Sequence, residues 1–152
     1  MVEIYEQEEV SFDSTDVEYA IQKGRGDKTE FYPTIPSDTE KLSATACSLA
    51  NSGGGQIFLG VSKEGTIVGV DEEDIESKAV EIIKQNIERV LDLKLVTSTI
   101  EINGDTIIVI SISEFRNLPL AASGRFYQRH RKEDILLSPN EVLRLMNEAS
   151  DD

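Results

Sequence analysis

Apolar residues recur along this chain with two different periods, and the points where one gives way to the other mark out the elements. Leu42, Ala46, Leu49 and Ala50 fall at i, i+4, i+7 and i+8, one face of a helix. Asp38 or Ser37 can cap it, and Asn51, Ser52, Gly53, Gly54 and Gly55 form a hinge where the chain leaves it at positive φ. The short apolar run 57–61 predicts a strand covered on both faces, and Glu64-Gly65 turns the chain back into a second strand over 66–70. Upstream, Val17, Ala20 and Ile21 give a short helix capped by Asp13 or Ser14 and ended by Gly24; 25–28 is a turn, and 29–32 a strand stopped by Pro33. Downstream, Ile75, Ala79, Ile82, Ile83, Ile87, Val90 and Leu91 form one stripe of a long helix.

The second half of the chain is richer in strands. Residues 95–102 and 106–112 are joined by Asn103-Gly104-Asp105, a strong hairpin signal. The arm Ile107-Ile108-Val109-Ile110 is apolar on both faces and belongs in the centre of a sheet. Pro119-Leu120 and Ser123-Gly124 punctuate a loop, and 125–129 forms a further strand. Ser138-Pro139-Asn140-Glu141 is a capping box with Pro at the first helical position, and Val142, Leu145, Met146 and Ala149 give the helix behind it one apolar face. The expected fold is α/β (α+β), a mixed sheet of about five or six strands with helices packed on both faces. Residues 16–150 form a single domain behind an acidic arm, residues 1–15.

Composition removes several functional classes. The chain has 152 residues and no apolar run long enough for a membrane span, and its acidic start is not a signal peptide, so the cytoplasm is the default location and no membrane partner is expected. One cysteine, Cys47, and one histidine, His130, leave no disulfide, cysteine zinc cluster or recognisable hydrolase triad. The order helix, glycines, strand is the reverse of a phosphate-binding loop, and no Gly-Lys-Ser/Thr follows, so Gly53 to Gly55 read as a structural turn.

Charge is uneven. Twenty-nine acidic against fifteen basic residues give a net charge of −14; residues 1–20 hold seven acids and no base, and 71–76 hold five acids. Such a surface repels polyanions, and suits either solubility or a cytoplasm of very high salt. The concentrated basic stretch is 125–132. Period two would place Arg125, Tyr127, Arg129 and Arg131 on one face, with Lys132 beside them and Arg116 adding to the patch. Cations alternating with an aromatic suit a nucleic-acid backbone with a base on the ring. The alternative is that these arginines pair with the protein's own acids, at Glu133-Asp134 or in the N-terminal arm.

Gly24, Glu30-Phe31, the run Ser48-Leu49-Ala50-Asn51-Ser52-Gly53-Gly54, the Gly60-Val61 strand end, the Gly65 to Gly69-Val70 hairpin, Pro119, Phe126-Tyr127-Gln128-Arg129 and the closing helix together resemble the Schlafen AlbA-like domain, formerly described as a divergent AAA, ATP-binding domain. The resemblance covers roughly residues 16–148. It implies a nucleic-acid-associated domain, often fused to a winged helix in transcriptional regulators and present in RNA-cleaving Schlafen proteins. Cleaving members look to use three carboxylates, which hold a divalent ion against a phosphate. Here the first position falls on Arg25, the second is Glu30, and the third falls on Ser62 or Lys63; the basic residue usual after Glu-Phe is Tyr32. A lone Glu30 does not clamp Mg²⁺, and its bland reading is an edge-strand carboxylate paired with Arg25 or Lys28.

The expectation is therefore a noncatalytic DNA- or RNA-binding regulatory domain acting through Arg125, Tyr127, Arg129, Arg131 and Lys132, without cofactor. No winged helix follows residue 150, so specific DNA readout would come from a protein partner or a second copy in a homodimer. Two alternatives stand beside it: a metal-dependent endoribonuclease with a degenerate acidic site at Glu30, Asp27 and Glu64, using Mg²⁺, and an acidic protein-interaction module.

Overall fold

A computed structural model describes residues 13–71, 74–87, 93–115 and 119–150. Its elements run α1 (Ser14–Lys23), β1 (Thr29–Tyr32), α2 (Thr39–Ala50), β2 (Gly55–Leu59), α3 (Ile75–Asn86), β3 (Leu95–Ile102), β4 (Asp105–Ile112), β5 (Ala121–Ala122), β6 (Arg125–His130), β7 (Glu133–Leu136) and α4 (Pro139–Ser150). Most of the arm and Arg116, Val90 and Leu91 lie outside the described residues. The fold is α+β with a mixed sheet, and its strands divide into two sheets rather than one: β1-β2-β4-β3, and a separate β5-β6-β7.

In the larger sheet β1 runs parallel to β2, and β4 is antiparallel to both β2 and β3. The all-apolar arm of β4 is central, as its pattern requires. Ile108, Ile110 and Ile112 face a core shared with α2 and α3, while Ile107 and Val109 face a second core with Phe31, Phe58 and Val17 of α1. Phe31 and Phe58 meet edge to face at 5.7 Å. Asn103 (φ 51°) and Gly104 (φ 87°) make the two-residue turn between β3 and β4.

The central helix is α2. Its apolar pattern suggests one buried face, yet all of residues 42–50 are buried, because α2 lies between the two sheets and against α3. Its polar positions look inward. Ser43 donates to the Ile82 carbonyl and accepts from Asn86, while Thr45 and Ser48 donate to Asp134 on β7.

Several expected elements differ. Residues 66–70 form no strand: Val61 and Ile67 make a single bridge, and the Val68 and Gly69 amides both turn onto the Gly60 carbonyl. Gly60 (φ 102°) and Gly69 (φ 73°) bend the chain there, and the backbones approach closely enough that a Cβ on Gly60 would stand 3.3 Å from Gly69 Cα. Helix α3 ends at Asn86, with Ile87 extended and bridged to Ala122. The stretch expected as a loop around Ser123-Gly124 is the β5-β6 hairpin, both turn residues being at positive φ (51° and 79°). The capping box of α4 forms as its sequence predicts, with the Ser138 amide on Glu141 and the Glu141 amide on Ser138.

Candidate functional site

Three elements converge beside Glu30. The Arg25 turn precedes β1, the 62–65 turn follows β2, and β6 brings Arg129 across from the second sheet. Glu30 is 2% exposed. Arg25 donates Nε to Oε2 at 2.7 Å and Nη2 to Oε1 at 3.2 Å. Lys63 Nζ reaches Oε2 at 3.1 Å, the Phe31 amide donates to the same oxygen at 2.9 Å, and Arg129 Nη2 meets Oε1 at 3.0 Å. Burial raises the Glu30 carboxyl, but the Arg25 hydrogen bond and the charges of Lys63 and Arg129 outweigh it and hold it below its usual value.

The expected pairing of Glu30 with Arg25 is present, but the pair is buried and widened to three cations. Lys28 instead donates to the Gly53 carbonyl. Of the two residues at the third implied carboxylate position, Lys63 is the one that reaches Glu30. Two of the three positions implied for metal-holding acids therefore carry cations that neutralise the remaining acid. These residues do not fit a divalent ion, which needs carboxylate oxygens free to coordinate. The rearranged acidic set is not assembled either. Asp27 accepts from the Arg131 amide at 2.5 Å, and among the described residues no three of His, Cys, Asp and Glu are grouped to hold a metal.

Arg129 ties this cluster to the second sheet. Its side chain is fully buried; Nε donates to the Gly26 and Arg131 carbonyls, Nη2 to Thr29 O, and Nη1 to Asp134 at 2.8 Å. Asp134 also accepts from Thr45 at 2.6 Å and Ser48 at 2.5 Å, and Thr45 shares a 2.7 Å bond with the Tyr32 hydroxyl. Burial foremost, with the charges of Glu30 and Asp134, pushes the Tyr32 hydroxyl up to about 12, so it stays protonated.

The basic row expected from period two is thus divided. Arg129 points into the protein and pairs with Asp134, one of the acids anticipated as its partner. Strand β6 ends at His130, and Arg131 sits in the turn at φ 57°, out of the alternation. Arg125, Tyr127 and Lys132 remain together on the wall of an open cleft of about 510 Å³. Arg25, Glu30, Tyr32 and Lys63 line the same cleft, and Asp38, Glu40 and Lys41 at the start of α2 and Glu133-Asp134 of β7 complete it. Lys63 Nζ lies 4.0 Å from the Tyr32 ring centroid, a cation–π contact. Burial lowers the Lys63 ammonium, and Glu30 offsets part of that.

The glycine hinge holds the second sheet in place. Asn51 donates to the Leu120 and Tyr127 carbonyls at 3.0 and 2.9 Å and accepts from the Leu120 amide at 2.9 Å, so one side chain fixes β6 and the lead into β5 to the end of α2. The Ser52 and Gly54 amides turn back onto Leu49 O. A Cβ on Gly54 would stand 2.8 Å from the Ile112 carbonyl, and one on Gly55 2.5 Å from the Lys28 carbonyl. This is a packing turn, built as its reversed order implies. The polar positions of α2 and the second sheet's β7 were not found from sequence, because the apolar period of α2 marks out only one of its faces and Arg131-Lys132 carries no turn residue.

A family model described as Schlafen, AlbA_2 matches residues 7–138. No curated protein matches the chain. Among solved structures it is similar to a crystal structure of the DIP2311 protein from Corynebacterium diphtheriae, with a TM-score of 0.58 and 16% identity over 80% of this chain and 24% of that one. That likeness shows the fold, and the match spans about a quarter of DIP2311. With the Asn51 hinge, the Glu30 strand and the β6 arm all placed within the matched region, the chain belongs to the Schlafen AlbA_2 domain family.

Proposed function

We propose that the domain is a noncatalytic nucleic-acid-binding or regulatory module, with Arg125, Tyr127 and Lys132 in the cleft as its contact residues. One observation carries the reading: Glu30, the acid left at the implied metal site, is held by Arg25, Lys63 and Arg129 within 3.2 Å. A nucleophilic water needs a metal or a free base to activate it, and Glu30 offers neither. Family membership supports nucleic acid as the ligand class, and Arg125 and Lys132 stand exposed to meet it. Arg129 contributes by fixing the cleft wall, not by contact.

Titration against labelled DNA and RNA, beside an Arg125→Glu, Lys132→Glu double variant, tests this. Binding that the variant loses by tenfold or more, without cleavage in Mg²⁺ or Mn²⁺, is the expected outcome. Metal-dependent cleavage abolished in a folded Glu30→Gln variant would overturn it in favour of a nuclease. Absence of binding at any salt where the protein is folded would leave the acidic surface as the place to seek a partner.

A further inference from the structure

We infer that the cleft takes an unpaired nucleotide from a single strand, its base set against Tyr127, and does not hold a duplex by its phosphates. This rests on the nucleic-acid reading above and deepens it. The charges of the cleft rim decide the point. Lys41, Lys63, Arg125 and Lys132 stand exposed there beside Asp38, Glu40 and Glu133, and with Arg25, Glu30 and Asp134 the whole lining holds five cations and five acids. Glu40 lies 3.7 Å from Arg125, both side chains 58% exposed. A lining with equal numbers of both signs, on a chain of net charge −14, gives a polyanion little net attraction. A duplex offers such a cleft its phosphates and groove edges but no base face, because its bases remain stacked.

A single strand offers more. Its bases have free π faces, and stacking on an aromatic side chain is tolerant of sequence and needs no net charge attraction. Two tyrosines line the cleft, and they are not equivalent. Tyr32 is 6% exposed, with Lys63 over its ring, whereas Tyr127 is half-buried, packing against the core while it lines the cleft. Tyr127 is the ring available to a base, and Arg125 or Lys132 then meets the one or two phosphates that flank it. Glu40 competes for Arg125, so its removal strengthens that contact.

The test uses fluorescent 12-nucleotide single-stranded DNA and RNA, the same sequences as duplexes, and free nucleoside monophosphates, each titrated across a range of KCl. Single strands bind at least tenfold tighter than duplexes, with a log–log salt slope of about −0.7 to −1.4, as one or two phosphate contacts give on a single strand. Tyr127→Leu loses about tenfold or more, Tyr127→Phe keeps most of the affinity, and Glu40→Gln gains about twofold to fivefold. Far-ultraviolet dichroism confirms that each variant is folded, and the Phe and Gln variants give answers even if the Leu variant is not. Duplexes bound as well as single strands, with a steep salt slope lost in the Arg125→Glu, Lys132→Glu variant, would overturn the inference and leave the proposed function standing. Monophosphates bound as tightly as the oligomers would also overturn it, making a free nucleotide the ligand. No binding by any probe would remove both.

Discussion

Glu30 decides most of what the site can do, and its behaviour follows from a count of charges. One buried carboxylate faces three cations, so removing it leaves Arg25, Lys63 and Arg129 repelling one another in a partly dry pocket. Breaking a buried ion pair from one side costs about 3 kcal/mol, and Glu30→Gln is expected to cost about that in urea denaturation at pH 7. The pH dependence has a definite sign. Because the folded-state carboxyl is held below its ordinary value of 4.5, its stabilisation is complete above that value and is lost as pH falls through the folded pKa. The difference between wild type and Glu30→Gln therefore shrinks on acidification below pH 4.5, which urea midpoints at pH 3, 4.5 and 7 would show. A difference constant with pH would mean that the cost lies in packing. Asn51 is the other residue of consequence. Asn51→Ala strands the Leu120 amide and takes a donor from the Tyr127 carbonyl, while the Leu120 carbonyl keeps the Cys47 thiol, with an expected loss of about 2–3 kcal/mol in the same assay.

At the level of elements, the sequence is most legible where a local signal and the tertiary environment agree. The Asn103-Gly104 hairpin, the α4 capping box and the β1 and β3 boundaries all formed where their residues placed them. Legibility fails where long-range packing decides. Ser43, Thr45 and Ser48 look like the wet face of α2 until β7 and α3 arrive to cover them, and those elements come from far along the chain. Glu30 and Arg25 were visible as a pair and Asp134 as one possible partner of Arg129, but nothing local shows that Arg129 also reaches Glu30 and Thr29 across from the second sheet. Residues 66–70 have strand composition, but the Val68 and Gly69 amides both turn onto the Gly60 carbonyl. The hinge between α2 and β2 admits a strict test. Gly54→Ala forces a Cβ to 2.8 Å from the Ile112 carbonyl at a φ of 88°, and a loss of about 2–3 kcal/mol is expected, against little change for Gly124→Ala beyond its own φ strain, since nothing lies within 4 Å there.

The whole molecule carries a net charge of −14 around a nearly balanced cleft. Self-repulsion of that size opposes compaction and is screened by salt, whereas the buried Glu30 cluster is screened much less. Raising NaCl from 0.1 to 1 M is expected to add about 1 kcal/mol, roughly 3 °C in the thermal midpoint. A requirement for molar salt merely to fold would mark a protein made for a high-salt cytoplasm, and indifference to salt would show that the acids are spaced widely enough not to interact.

The ion cluster also sets an order of events during folding. Arg129 bonds to Thr29 across 100 positions of sequence and to Gly26 across 103, whereas the β3-β4 hairpin closes over two residues. Loop closure delays the distant contacts, so the hairpin and its pairing with β2 precede the docking of β6 onto β1. Substitutions at Glu30 or Arg129 then leave the refolding rate almost unchanged and appear as faster unfolding, while Gly104→Val slows refolding itself. Stopped-flow measurement of both limbs would read this directly, and it makes the charge cluster the fastener that governs how long the finished molecule stays shut.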